Sequence, residues 1–141
     1  MKQFVLISIL FISSFSFGQV IEEKRGYDPQ IGVLVSMLDD LKDPVERSVM
    51  NLDQEGTDFL LDSNANRVGA LILHLAATEK YYQLYTFEGR GFNKDESMWE
   101  TALNLGETAQ EELVGKPIDY YLDLWEDVRK ETYKLCDVSK K

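Results

Sequence analysis

The run Val68-Gly-Ala-Leu-Ile-Leu-His-Leu-Ala-Ala77 decides how this chain folds. Its only polar side chain is His74, so it is apolar on nearly every side of a helical wheel. A helix that is apolar all round is one buried by several neighbours. The pattern continues through Tyr81, Tyr82 and Tyr85 and stops at Gly89-Arg90-Gly91, while Ser63 or Asn64 offers a cap at its start. Those glycines read as a turn and not as a phosphate cradle, because no strand precedes them and no Lys-Ser/Thr follows.

Two amphipathic helices flank this segment. Ile31, Leu34, Val35, Leu38, Leu41, Val45, Val49 and Leu52 recur at steps of mostly three and four, the mark of one helical stripe. Pro44 falls inside it, which predicts a kink or a restart with Asp43 as the new cap. A last helix begins at Pro117 and carries Ile118, Tyr121, Leu122, Trp125, Val128, Thr132 and Leu135 on one side. Residues 19–28 read as a frayed polar lead-in and residues 53–64 as a loop. Residues 92–116 read as a connection with helical turns around 98–103 and 107–113. No segment alternates with period two. The fold class is all-α, with three long helices. Three are too few, because the central helix needs more cover than two partners and a loop supply. A fourth helix, a second subunit or a ligand is expected against it.

The first eighteen residues have the zones of a secretory signal peptide. Lys2 is followed by Phe4-Val-Leu-Ile-Ser-Ile-Leu-Phe-Ile12, an apolar stretch running with serines to Phe17. Ser16 and Gly18 are small residues placed for cleavage before Gln19. The stretch is shorter than the roughly 20 residues that span a bilayer. The expected organisation is a leader over 1–18 and one domain over 19–141, exported to the periplasm or medium of a bacterium and without a membrane anchor after cleavage. The chain has a net charge of −10, and loss of Lys2 makes the remainder one unit more negative. Such a surface repels phosphate backbones, so nucleic acid is not an expected partner. Cys136 is the only cysteine, so no intrachain disulfide forms and packing must hold the domain.

Candidate chemistry is sparse. His74 is the only histidine, there is no His-Glu-x-x-His, and no nucleophile motif surrounds it. A hydrogen-bonded core histidine is the plain reading. Glu79 lies four residues after Leu75 and seven after Ile72, within the apolar face of its own helix. A buried carboxylate needs a partner, a proton or a metal, and Arg129 or a tyrosine hydroxyl is on hand as partner. His74 and Glu79 are turned about 140° apart and cannot chelate one ion unaided. Asp62-Ser-Asn-Ala-Asn66 fails as a calcium loop at its sixth position, Arg67, and its twelfth, Leu73. Glu22-Glu23, Asp39-Asp40 and Glu111-Glu112 read as solvated surface, Trp99 and Trp125 as packing residues, and Cys136 as an apolar helix residue.

Asn64-Ala-Asn-Arg-Val-Gly-Ala-Leu-Ile-Leu-His-Leu-Ala-Ala-Thr-Glu79 resembles the second-helix signature of the DinB (damage-inducible) superfamily, in a branch known only as a domain of unknown function. Ile31-Gly-Val-Leu-Val-Ser-Met-Leu38 and Tyr120-Tyr-Leu-Asp-Leu-Trp-Glu-Asp-Val-Arg129 fit that family's first and third helices, so the likeness covers residues 27–136. The resemblance implies a four-helix bundle, often dimeric. It also implies a divalent metal, zinc or nickel, held by one second-helix histidine and a His-x-x-x-His on the fourth helix, and in several members a thiol-dependent transferase or isomerase activity. His74 matches the first ligand. The other two have no counterpart, and the fourth helix has none either, so the expectation is a C-terminally incomplete member with most of the metal site missing.

Two functions follow as expectations. One is a metal-dependent transferase or hydrolase of DinB type, incomplete as it stands. The other is a non-catalytic exported module that dimerises or binds a partner through the surface a fourth helix would cover.

Overall fold

The computed structural model describes residues 21–137, all of them helix, turn or irregular connection and none in a strand. The leader, its cleavage point and the four C-terminal residues lie outside the described residues. The all-α reading holds. The first helix, α1, covers Pro29–Val49, with Asp28 capping Gln30 and proline at its first position. A short helix, α2, covers Gln54–Thr57. Helix α3 covers Val68–Gln83 and is prolonged by a π-turn over Leu84–Glu88. Two short helices, α4 over Ser97–Asn104 and α5 over Gly106–Glu112, precede the long α6 over Ile118–Asp137. Among the described residues no helix is long and apolar enough to cross a membrane.

The core is the seam between α3 and α6. Ala70, Leu73, Ala76 and Ala77 let the two helices close on Tyr121, Trp125 and Val128, all buried. The approach is tightest at Gly69, where an added Cβ would stand 2.4 Å from Cε2 of Tyr121. Helix α4 packs on another side of α3 through Ala102, and α1 packs on α6 while making little contact with α3.

Several local expectations need correction. Helix α1 runs unbroken through Pro44, and Asp43 is an interior residue, not a cap. The single bond a proline forfeits is outweighed here by packing of Val45 and Val49 on the core and by the ion pairs of Lys42 with Glu46 and Glu126, at 2.9 and 3.0 Å. Residues 21–28 are not a frayed lead-in. The Lys24 amide donates to the Gly32 carbonyl at 3.1 Å, and the segment lies back along α1. Residues 53–64 are not all loop, because Asp53 caps α2 by accepting from the Gly56 amide at 2.8 Å. Neither Ser63 nor Asn64 caps α3. Its first residue follows Arg67, whose guanidinium reaches the carbonyls of Asp58 and Gln110 and ties the two connections together. Gly89 ends α3 in the left-handed conformation (φ +66), as the turn reading requires.

The central helix gets its extra cover on one side only. Helices α4 and α5 are part of the answer, not a mere connection. On the other side Leu71, Leu75 and Tyr82 stay exposed, at i, i+4 and i+11. They form an apolar helical stripe without a facing helix.

Candidate functional site

The part of the uncovered α3 stripe from Leu75 to Tyr82 is one wall of a groove of about 670 Å³. Leu75, Thr78 and Tyr82 come from α3, Thr86 and Phe87 from the π-turn, and Ile31, Leu34, Leu38 and Leu41 from α1. The floor belongs to α6: Trp125, Arg129, Thr132, Leu135 and Cys136. The groove exists because α1 leans on α6 and stands off α3. The π-turn over Leu84–Glu88 prolongs α3 so that Thr86 and Phe87 join the groove lining.

Polar groups on the floor are all engaged. Glu79 accepts from Nε of Arg129 at 2.9 Å and from a terminal guanidinium nitrogen at 3.0 Å, a two-pronged pair, and also from Trp125 Nε1 and the Thr132 hydroxyl. Gln83 donates to Thr132 Oγ1 at 2.7 Å and to the Val128 carbonyl at 2.8 Å. The remaining guanidinium nitrogen of Arg129 meets Asp39 at 3.1 Å. Asp39 also takes the Lys24 ammonium at 2.6 Å and the Tyr133 hydroxyl. Burial pushes the Asp39 carboxyl up, and the hydrogen bonds from Lys24, Tyr133 and Arg129 outweigh that and hold it below the ordinary value. The Asp39-Asp40 pair is therefore not simply solvated surface, because Asp39 ties α6 to α1. Burial, with the Glu79 charge behind it, raises the Cys136 thiol, which keeps it protonated and unreactive near neutrality.

The two candidate site residues are not brought together. Glu79 lines the groove and finds Arg129, the partner its position asks for. His74 is not a groove residue. Its Nδ1 lies 3.0 Å from the Ala102 carbonyl, one of the last carbonyls of α4 without a helical donor, so that nitrogen carries the proton and closes the end of α4. Among the described residues no three His, Cys, Asp or Glu side chains are placed to hold an ion. The donor set therefore does not fit the zinc or nickel centre implied by the DinB resemblance. One imidazole falls short of the three or four donors such a site needs.

Asp39 and Lys42 were the residues most easily missed. Both sit on the buried face of α1, four and seven positions after Val35, and this spacing was the available signal. Nothing in the sequence marks the π-turn.

Neither a scan against protein-family models nor a search of curated proteins finds a match for this chain.

Proposed function

We propose that this protein is an exported helical-bundle module that receives an amphipathic helix of another polypeptide in the groove between α1, α3 and α6. That groove is where a DinB-like bundle would seat its fourth helix. The carrying observation is a pair of apolar walls on one groove, Leu75 and Tyr82 on α3 and Leu34, Leu38 and Leu41 on α1. Leu34, Leu41, Leu75 and Tyr82 are at least 39% exposed. Stripes at helical spacing are what a helix packs its own ridges into. The floor offers an incoming chain no unpaired polar group, so the fitting partner presents aliphatic side chains and keeps its charges outside. Exposed apolar surface of this kind marks an interaction site.

A metal-dependent enzyme is the second reading, and the donor set around His74 weighs against it. Elemental analysis of purified chain would revive it by finding stoichiometric zinc or nickel that His74→Ala removes.

The test uses the chain beginning at Gln19. It should bind an apolar fluorescent dye and either self-associate or bind a synthetic three-turn amphipathic peptide with leucines at heptad spacing. Leu41→Glu together with Leu75→Glu should abolish both while leaving unfolding unchanged. A monomer that binds neither dye nor peptide would overturn the reading.

A further inference from the structure

We propose that the occupant of the groove is a second copy of this chain, each copy laying the exposed ridge of α3 over the other's groove about a two-fold axis at Thr78. This rests on the groove reading above and names its partner.

The groove asks for an apolar ridge at helical spacing that keeps its charges outside, and α3 carries one. Leu71, Leu75 and Tyr82 are 42%, 39% and 63% exposed. At about 100° per residue they lie within about 40° of one another around the helix. Glu79 borders that ridge, but it lines the groove and is held by Arg129. Lys80 is turned to another side, 5.3 Å from the centre of the Trp99 ring. From Leu71 to Tyr82 the ridge spans about 16 Å, against about 15 Å for the α1 wall from Ile31 to Leu41. Because ridge and groove belong to one surface, the contact is isologous, and what one copy gives it also receives. Thr78, near the middle of the ridge, then falls at the axis and meets its own counterpart.

Charge and area both fit a second copy. Among the described residues that line the groove, Glu79 and Arg129 alone are charged, and they pair with each other at 2.9 Å. A partner steered by charge needs complementary charges to meet, and this lining offers none to spare. The net charge of −10 is carried elsewhere, so two copies close here without setting like charges from the linings against each other. The exposed parts of Leu34, Leu41, Leu75, Tyr82 and Phe87, extended along α3 by Leu71 and Tyr85, amount to on the order of 700 Å² per copy. A stable interface of standard size buries about 800 Å² on each partner.

The experiment uses the full chain, expressed, purified and identified by intact mass. Sedimentation should find a dimer whose dissociation constant falls by about tenfold as salt rises from about 0.05 to about 0.5 M, because salt screens the repulsion between two chains of like net charge. Thr78→Glu and Thr78→Lys should each be monomeric. Mixing them in equal amounts should restore the dimer, since unlike charges then meet at the axis, and that recovery also shows that both variants fold. A dimer unmoved by either substitution, or one that weakens as salt rises, would overturn the proposal. So would two folded variants that stay monomeric when mixed. A native chain that is monomeric at every concentration and salt, yet binds the leucine peptide, would overturn it and leave the groove reading standing. A monomer that binds neither peptide nor dye would sink both.

Discussion

Arg129 meets Glu79 through two guanidinium nitrogens, 2.9 and 3.0 Å from the two carboxylate oxygens, and both side chains are nearly buried. Breaking a buried pair by removing one partner strands the other charge, at about 3–5 kcal/mol, while replacing both by apolar residues of similar size is close to neutral. Arg129→Met and Glu79→Leu singly should each lower unfolding free energy by that amount, and the double substitution should recover most of it. A urea double-mutant cycle measures the coupling. Additive losses would show that the pair contributes nothing jointly. Since Glu79 is held this way, its position in an apolar face needs no catalytic explanation.

The second prediction concerns pH. The folded Asp39 carboxyl lies below its ordinary value because Lys24, Tyr133 and Arg129 together outweigh burial. A carboxyl with a depressed folded value adds stability above its unfolded value of about 3.9 and loses it as pH falls through the folded value. The native chain should therefore melt well above Asp39→Asn at pH 6, and the gap should shrink as pH falls below about 4. Melting temperatures for both chains across that range check it. A gap that does not change with pH would remove Asp39 as its source.

Gly69 and Tyr121 give a third prediction with two opposite arms. Gly69→Ala places a methyl 2.4 Å from the Tyr121 ring, and the buried ring has nowhere to go. Overpacking of this kind costs about 1–3 kcal/mol. The Tyr121 hydroxyl is buried without a protein partner, and desolvation, then the Asp58 charge, pushes its ionisation up to about 12. Tyr121→Phe removes that unpaired group and should raise stability by about 1 kcal/mol. Urea denaturation of the two variants reads both signs.

What the sequence made legible was set by period. The stripe from Ile118 predicted a helix and the face it buries, because burial on one side enforces a 3.6-residue repeat, and the apolar run from Val68 predicted a helix buried by several neighbours. The shortage of cover around the central helix was legible too, since the count of apolar faces exceeded the count of long helices. Its location was not. Which side of α3 the short helices take, and which they leave open, depends on how α1 leans, and that is set by Asp39 and Lys42 reaching across to α6. Asp39 read as solvated surface and Lys42 drew no notice, because a charged side chain carries no sign of the partner it will meet from a distant part of the chain. The π-turn was invisible for a related reason: it depends on backbone bonds at Leu84–Glu88 and leaves the residue pattern unchanged.

The last prediction separates the two meanings of His74. Its Nδ1 proton sits on the Ala102 carbonyl at 3.0 Å, which fixes the ring between α3 and the C-terminal end of α4. If that is its role, His74→Ala removes one hydrogen bond and leaves a carbonyl of the last turn without its donor, at about 1 kcal/mol. His74→Asn should restore part of it if its shorter amide reaches the same oxygen. The loss should also be local, because the bond closes the C-terminal end of α4 alone while Met98, Trp99, Ala102 and Leu103 keep the helix packed on the core. Hydrogen exchange should quicken in Ser97–Asn104 before it does in Ile118–Asp137. Added zinc should leave the native melting temperature where it was, and a rise of several degrees that His74→Ala abolishes would show that the imidazole is a metal ligand as well as a cap.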